Sequence, residues 1–180
     1  RGDIESMKNN EHHYEISASF YANPANKGAA VNQLDVVVLS ALEIDTQFNV
    51  NVMTGSDGII RGASGGHSDA SAGAKMSMVL TPLIRGRIPT IVEEVNTIIT
   101  PGESIDVVVT EIGIAINPRR EDLMEAFKNV NIPKFTMEEL KEKAYAVVGK
   151  PDPIEYGEKV VALIEYRDGS LIDVVRSVKE

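Results

Sequence analysis

Hydrophobic positions along the chain fall mostly in short runs, and several runs have the composition of β-strands. The run LDVVVLSA at 34–41 is almost continuously apolar, which is typical of a strand covered on both faces. The run FNVNVM at 48–53 alternates apolar and polar side chains, which predicts a half-buried strand with Asn49 and Asn51 on one side. A turn is predicted at 55–58. Further β-like runs lie at 78–82, 90–92, 96–100 and 105–110.

Two later segments have the three- and four-residue spacing of amphipathic helices. In the first, Asn117 is a candidate N-cap for a helix over 118–129. In the second, Thr136 and Glu139 have capping-box spacing, and the helix is predicted to end at Gly149.

The last segment predicts a β-hairpin, and the whole series predicts the fold class. Over 159–177, two β-like runs meet at Asp168-Gly169, a dipeptide that favours a type I′ turn. Strands interleaved with helices indicate an α/β domain with an open, twisted, mostly parallel or mixed sheet and helices on both faces. We assign 14–180 to this domain and 1–13 to a polar N-terminal segment of a truncated chain.

Composition restricts the class of protein. The chain has 180 residues, of which 43% are hydrophobic and 25% charged, as in soluble globular proteins. There is no cysteine, and three histidines without cysteine give no zinc-ligand spacing, so no metal site is predicted. The absence of a signal-peptide pattern and of a long apolar run favours a cytoplasmic protein without a membrane partner.

The charge is acidic overall but basic in one window. A net charge of −9 disfavours nucleic-acid binding, because phosphate contacts require clustered Lys and Arg. Between residues 58 and 92, however, there are four cationic residues and a single acidic one. This window indicates an anion site; the alternative is that the long cationic side chains cover apolar surface.

The basic window contains the stretch RGASGGHSDASAGAK at 61–75, which is rich in small residues. Eleven of its fifteen residues are glycine, alanine or serine. A short helix is predicted over 69–75, with Ser68 or Asp69 as its N-cap.

Gly65, Gly66 and His67 would then form the turn that precedes this helix. Glycine permits close approach of a ligand to the backbone, and exposed N–H groups there can hold an oxyanion or a phosphate. A packed glycine corner without a ligand is the alternative, and no known phosphate-binding fingerprint matches the spacing. His67 is either a ligand contact or a loop histidine packed on its neighbours.

Polar residues near the first predicted strands are further candidates. Glu43 and Asp45 follow the 34–41 strand, where α/β active sites form, and could act as acid and base or be capped and solvated. Asn49 and Asn51 could bind a polar ligand or face water.

Arginines of the basic window are candidates for carboxylate binding. Arg85 and Arg87 alternate in a β-like segment and would face the same way, and Arg61 lies beside the glycine-rich stretch. Two guanidinium groups suit a polycarboxylate. A solvated sheet edge is the alternative.

Three motifs in one order carry a family resemblance. A-x-E-I-D at 41–45, G-G-H-x-D at 65–69 and V-T-E-x-G-I-A at 109–115 resemble the C-terminal part of the citrate lyase alpha chain family, over 14–180. The wider acyl-CoA transferase superfamily is similar more loosely, often with glutamine in place of His67. The resemblance implies a CoA-transferase-like fold.

The resemblance also implies an activity and partners. It implies an acyl-exchange subunit that transfers citrate to the thiol of an acyl carrier, with release of acetate from the acetyl-carrier. The implied partners are the citrate lyase beta chain, the acyl carrier gamma chain, the missing N-terminal half and further copies in an oligomer. No cofactor is implied on this chain itself, because the dephospho-CoA-type arm belongs to the carrier and CoA thioesters serve as surrogates.

Roles for individual residues follow from the same resemblance. Glu43 and His67 are the implied catalytic residues, the latter beside oxyanion donors. Contacts to substrate or to the carrier arm are assigned to the glycines and polar residues already described and to a choice of arginines. The implied substrate and arm contacts are Gly65, Gly66, Ser68, Asp69, Asn49, Asn51, Arg61, Arg85 and Arg87, with Arg119 as a further cation.

One departure bears on the mechanism. Covalent CoA-transferases use a glutamate that aligns near 17–23, where this chain has Ala18, and Glu15 is the nearest acid. Direct exchange without a glutamyl-enzyme is therefore expected, and the isolated segment is expected to be inactive. Two alternatives stay open: a non-catalytic docking half of a larger CoA transferase, and a related transferase or sugar-phosphate protein with another substrate.

Overall fold

The computed structural model describes residues 2–31 and 34–179. Its N-terminal part, from residue 4 to residue 17, is exposed throughout. No helix among the described residues combines the length and apolarity that crossing a bilayer requires. The helices are α1 (Gly2–Asn9), α2 (Ala18–Ala22), α3 (His67–Gly73), α4 (Glu121–Phe127) and α5 (Met137–Val148), with a 3₁₀ helix at Gly102–Ser104.

The strands form one four-stranded sheet, one three-stranded sheet and two hairpins. The larger sheet has the order β1-β4-β8-β9, in which β1, β4 and β8 are parallel and β9 is antiparallel to β8. The smaller sheet has the order β3-β2-β7. The strands are β1 (Leu34–Leu39), β2 (Glu43–Asp45), β3 (Val50–Asn51), β4 (Ala74–Leu80), β5 (Ile84–Arg85), β6 (Ile88–Pro89), β7 (Ile91–Val92), β8 (Val107–Thr110), β9 (Gly113–Ile116), β10 (Tyr156–Glu165) and β11 (Leu171–Val178).

The main hydrophobic core lies between the two sheets and α5. Ile44 and Ile91 from the smaller sheet, Val79 and Val108 from the larger sheet, and Leu140 from α5 are all fully buried in it. Burial of each such side chain stabilises the fold by about 2 kcal/mol. The core therefore fixes β2 and β7 against the ends of the parallel strands, and the mixed α/β class is confirmed.

The opposite face of the larger sheet is open along β1 and β4. Val36, Val38 and Leu80 on this face are 43%, 57% and 55% exposed. The prediction that the 34–41 strand is covered on both faces is therefore wrong for this chain, and the predicted helices on the second face are missing at these strands. The apolar side chains of this strand are suited to burial, but no described residue covers them on this face.

The two predicted helices differ in outcome. The capping box of Thr136 and Glu139 is present, and α5 ends at Gly149 with φ +86°, as predicted. The other helix, α4, begins only after Arg120 and lacks a side-chain cap. Asn117 does not cap it, because its side-chain amide donates to the carbonyls at Gly102 and Ile105, at 2.9 and 2.8 Å.

Two predicted β features are shorter or differently turned. The alternating run 48–53 contributes only the two residues of β3, because Phe48, with φ +67°, sits in a turn. In the β10–β11 hairpin, the Gly169 N–H donates to Tyr166 O at 2.9 Å, and Gly169 has φ +86°. Asp168 does not have the positive φ that a type I′ turn requires, so the turn is of type I followed by a glycine bulge.

Candidate functional site

Polar side chains meet at the carboxyl end of β1, where the chain passes from the larger to the smaller sheet. The carbonyl of Ser40 accepts a hydrogen bond from His67, and the carbonyl of Ala41 accepts one from Arg85, at 3.0 and 2.9 Å. In α/β proteins, ligands collect beyond the carboxyl ends of parallel strands. This end of β1 is therefore the candidate site.

His67 is held by both ring nitrogens. Because a carbonyl can only accept, Nε2 carries the proton and donates to Ser40 O; Nδ1 then accepts from Thr100 Oγ1 at 2.7 Å. Burial lowers the pKa of His67, which keeps the imidazole neutral. In this arrangement the ring fixes the start of α3 against β1 and Thr100.

The glycine turn beside His67 presents free backbone donors. Gly65 is exposed with φ +53°, and a Cβ added there would meet nothing within 4 Å. Among the described residues, neither Gly65 N–H nor Gly66 N–H has a hydrogen-bond acceptor, whereas His67 N–H donates to Ser64 O at 3.2 Å. Two of the three predicted donors therefore have no acceptor within the described residues; the space beside Gly65 is open, whereas a Cβ on Gly66 would meet the Cβ of Ala18 at 3.6 Å.

The helix after this turn starts earlier than predicted, at His67, with Gly66 as its N-cap. Ser68 and Asp69 are consequently inside α3 and do not cap it. The Ser68 hydroxyl donates to Ile99 O at 2.8 Å. The Asp69 side chain is buried, its Oδ1 has no partner, and burial raises its pKa. Both side chains thus face the protein interior.

Glu43 is a buried carboxylate surrounded by neutral donors. Its Oε2 accepts from Asn51 Nδ2 at 3.0 Å and from Asn96 N at 3.3 Å, and its Oε1 accepts from Asn96 Nδ2 at 3.1 Å. Burial raises the pKa of Glu43, and the hydrogen bonds from Asn51 and Asn96 offset only part of the lost hydration. Such a group is suited to holding a proton, but all its contacts here are with the protein.

Asp45 forms a second network with the Asn49 turn. Its carboxylate accepts from the backbone N–H groups of Gln47 and Asn49, both at 2.9 Å, and from Asn49 Nδ2 at 3.1 Å. Asn49 and Asn51, predicted to contact a ligand or water, therefore each bind one of the two acids. The pairing follows from β2 lying antiparallel to β3, with Glu43 opposite Asn51.

The three arginines of the basic window lie in different environments. Arg85 is exposed at the end of β1, as described. Arg61 pairs with Asp57 of the predicted turn. Arg87 does not alternate with Arg85 on one strand face: it lies in the turn between β5 and β6, because Gly86 has φ +65°. Lys75, the fourth cation, binds Asp35 at 2.6 Å. An acid outside the basic window therefore neutralises part of the positive charge of that window.

Residues that were not singled out from the sequence complete both networks. Thr100 binds the His67 ring, and Asn96 binds both oxygens of Glu43. Both lie in the run NTIIT at 96–100, which was predicted as a strand but forms a loop with one bridge to Val50. The signal that could have identified them is the presence of polar residues at positions of an otherwise apolar, buried run.

A cavity of about 730 Å³ lies nearby but does not reach the candidate catalytic residues. It is lined by the Gln47–Asn49 turn, the 3₁₀ helix and the first turn of α5, and by neither Glu43 nor His67. Among residues 2–31 and 34–179, no three His, Asp or Glu side chains are grouped so that they could hold a metal ion.

The fold and the site define an α/β protein with mixed sheets whose polar residues gather at the carboxyl end of its parallel strands. The sequence model of the family "citrate lyase, alpha subunit (CitF)" matches residues 2–178. The chain belongs to the citrate lyase alpha subunit family.

Relatives and a solved structure agree with this assignment. The citrate lyase alpha chain of Haemophilus influenzae is 57% identical over 176 residues, which are 98% of this chain and 35% of that protein. The alpha chain of Klebsiella pneumoniae is 56% identical over 174 residues, which are 97% of this chain and 34% of that one. A Streptococcus mutans structure described as the alpha subunit of citrate lyase in complex with citrate is 69% identical, with a TM-score of 0.89 over 97% of this chain and 34% of that chain. The chain thus spans about a third of the length of these relatives.

Proposed function

We propose that this chain is part of the acyl-exchange machinery of a citrate lyase alpha subunit, in which citrate replaces acetate on the thiol of an acyl carrier. The observation that carries the proposal is the 69% identity to the Streptococcus mutans protein described in complex with citrate. The proposed partners are the beta chain, the carrier subunit and the rest of the alpha subunit. Substrate binding and turnover belong to that whole subunit.

The exchange balances without an acyl group on the protein. A citrate carboxylate oxygen attacks the acetyl carbonyl carbon, and the C–S bond breaks to leave the carrier thiolate and a mixed anhydride. The thiolate then attacks the citryl carbonyl carbon, the bond to the acetate oxygen breaks, and acetate leaves. Ala18, in place of the glutamate of covalent CoA-transferases, supports this direct route. Each step passes through a tetrahedral oxyanion.

Backbone donors of the glycine turn fit that oxyanion. The N–H groups of Gly65 and Gly66 have no acceptor in the described part of the chain, and Gly65 is exposed with open space on its side-chain side. A preorganised donor of this kind contributes ~3 to 4 kcal/mol to an oxyanion transition state. His67 holds the turn in place through Ser40 and Thr100, so we assign it to positioning the donors. Glu43 lies behind Asn51 and Asn96 and would act as a buried proton-holding group.

Arg85 is the best placed arginine for a citrate carboxylate. Its guanidinium donates one N–H to Ala41 O, next in the chain to the Ser40 carbonyl that binds His67, and Arg85 is exposed. Arg61 is paired with Asp57, and Arg87 lies in a turn. A guanidinium with free donors suits bidentate carboxylate binding.

Acetate release by the full-length alpha subunit tests the proposal. With citrate and acetyl-carrier, or acetyl-CoA as a surrogate, the folded subunit and its partners should release acetate. Arg85→Gln is expected to lower kcat/KM for citrate at least about tenfold, since a charge-assisted contact is lost. Arg176→Gln, at an exposed position of β11, is the control and should change it less than about twofold. No acetate release from folded wild-type subunit with its partners present would refute the proposal.

The open face of the larger sheet favours a second role, as a docking surface for the rest of the alpha subunit. Val36, Val38 and Leu80 are exposed, and among the described strands β1 has a neighbour on one side only. Parallel sheets are normally covered on both faces, and free apolar edges are normally protected. About two thirds of the length of the relatives lies outside this chain, so the rest of the subunit is the proposed cover.

A charged substitution on this face tests whether the face is a docking surface or is exposed in the full-length subunit. Val38→Asp is expected to destabilise the full-length subunit by about 2 kcal/mol or more, because a carboxylate would be buried there. The same change in the 180-residue chain should cost less than about 0.5 kcal/mol, as Val38 is exposed in it. Val147→Asp, on the exposed side of α5, is the control for both. Equal small effects of Val38→Asp in the two proteins would exclude docking at this face.

A further inference from the structure

A polar pocket separate from the candidate site lies between α3, the 3₁₀ helix and the turn of the β10–β11 hairpin. Its volume is about 340 Å³. Its lining has three cationic and two acidic side chains, within an acidic chain. We call it the Arg167 pocket; it is formed in part by Ser71, Lys75, Glu103, Asp106, Arg120 and Arg167.

Two of the three cations are already neutralised. Lys75 binds Asp35 at 2.6 Å, and Arg120 binds Asp106 at 2.8 Å and Asp122 at 2.7 Å. Arg167 differs from both.

Arg167 has no carboxylate within 4.0 Å anywhere in the described ranges, although Asp69 is close enough for its pKa to be influenced by the guanidinium. Arg167 is therefore the cation of the pocket with unused binding capacity.

The position of Arg167 is fixed by its surroundings. Its backbone carbonyl accepts from Asn23 Nδ2 at 3.2 Å, and its guanidinium carbon lies 5.1 Å from the centre of the Tyr166 ring. The side chain is thus stacked at the pocket wall and is not free in solvent. A preorganised guanidinium loses little conformational freedom when it binds an anion.

Two buried donors at this pocket have no acceptor. Arg167 Nη1 and the hydroxyl of Ser71 are both inaccessible to solvent and without a hydrogen-bond partner, and Ser71 is 2% exposed. Unpaired buried donors are rare in folded proteins because their lost hydration is not replaced. Both residues line the same pocket, so one acceptor placed there can satisfy both once the guanidinium and the hydroxyl turn toward it.

We infer that the Arg167 pocket binds a small oxyanion, a phosphate or a carboxylate group, which accepts hydrogen bonds from Arg167 and Ser71. A water molecule could accept from the same donors but would bring no charge to the guanidinium, whose nearest carboxylates in the described ranges lie beyond 4.0 Å. An oxyanion satisfies both the hydrogen bonds and the charge. This site lies outside the glycine turn, and none of its donors is used in the proposed acyl exchange.

Isothermal titration of the full-length alpha subunit with inorganic phosphate, and separately with malonate, tests the inference in chloride buffer. The wild-type protein should bind at least one of the two anions at this site. Tighter binding of phosphate would identify a phosphate group as the ligand, and tighter binding of malonate a carboxylate. Arg167→Gln is expected to weaken binding at least about tenfold and Ser71→Ala several-fold, because each removes one donor.

Matched controls separate this site from a general charge or stability effect. Arg176→Gln removes the same charge from the same hairpin, and Ser77→Ala removes another buried, unpaired hydroxyl that does not line the pocket. Both should bind the anions as the wild type does, within about twofold. Ser71→Ala, which deletes one oxygen, remains informative if Arg167→Gln impairs folding by circular dichroism. Binding of neither anion by the wild type, or undiminished binding by the Arg167 and Ser71 variants, would overturn the inference, whatever the outcome of the acetate assay.

Discussion

Replacing Gly102 with alanine is expected to destabilise the chain by about 3 kcal/mol, through a clash with backbone that cannot move aside. A Cβ at this position would lie 1.9 Å from Gln47 O and 2.9 Å from the carbonyl carbon of Phe48. Real Cβ atoms do not approach backbone atoms this closely, so either the 3₁₀ helix or the turn at 47–49 must shift.

Hydrogen bonds hold both sides of this contact. Gly102 N–H donates to Asn49 Oδ1, and Gly102 O accepts from Asn117 Nδ2, both at 2.9 Å. On the other side, the carboxylate of Asp45 binds the N–H groups of Gln47 and Asn49. Retreat of either segment would break bonds to buried groups, which adds to the cost of the clash.

Urea denaturation of the 180-residue chain and its Gly102→Ala variant measures this effect. Gly28→Ala is the matched control, because a Cβ there meets its nearest atom at 3.6 Å and the residue does not have a positive φ. The control should be neutral or slightly stabilising, since alanine has less conformational freedom in the unfolded chain. A Gly102→Ala variant as stable as the control would show that the two segments are not packed as described.

Local sequence signals predict the bounds of an element correctly when residues close in the chain fix its ends. The capping box of Thr136 and Glu139 and the terminal Gly149 act within one helical turn, and α5 has the predicted bounds. Asn117 has the right side chain for an N-cap but donates its amide to two carbonyls 12 and 15 residues away, so it does not cap α4. Competition from distant partners cannot be read from local spacing.

Burial was less predictable than secondary structure. Alternation at 48–53 predicted that the asparagines bind a polar ligand or face water, but each binds an acid of β2, Asn51 in a buried network and Asn49 in a partly buried one. The 34–41 run predicted coverage that this chain does not supply at Val36 and Val38. In both cases the sequence pattern indicates what a side chain can do, and the three-dimensional partners decide what it does.

The candidate site was predicted in outline from the motifs. Glu43 and His67 were recognised as chemically capable residues, and the structure places both in hydrogen-bond networks near the end of β1. Their partners Asn96 and Thr100 come from a loop about 30 to 50 residues further along the chain. The spacing of the motifs therefore could not predict these two contacts. The catalytic roles themselves stay predictions.

Asn51→Leu is expected to destabilise the chain by about 3 kcal/mol at neutral pH, because it removes one of the two residues that donate to a buried carboxylate without changing side-chain volume greatly. Asn51 is fully buried. Its amide donates to Glu43 Oε2 at 3.0 Å and to Thr54 O at 2.8 Å, and its carbonyl oxygen accepts from the N–H groups of Met53 and Thr54. Leucine can make none of these bonds.

The stability that Asn51→Leu loses should increase as pH rises, and this pH dependence would identify the Glu43 carboxylate as the cause of the loss. Burial already raises the pKa of Glu43 above its ordinary value of 4.5, while the bond from Asn51 lowers it; without Asn51 the folded-state pKa rises further. The folded state then retains a proton that the unfolded chain releases, so stability falls as pH rises from 4.5 through the raised pKa. Below pH 4.5 only the loss of the neutral hydrogen bonds remains. Urea denaturation across this range measures the difference, with Asn129→Leu, at an exposed position, as the control. A pH-independent gap between Asn51→Leu and wild type would show that Glu43 does not depend on Asn51 for its charged form.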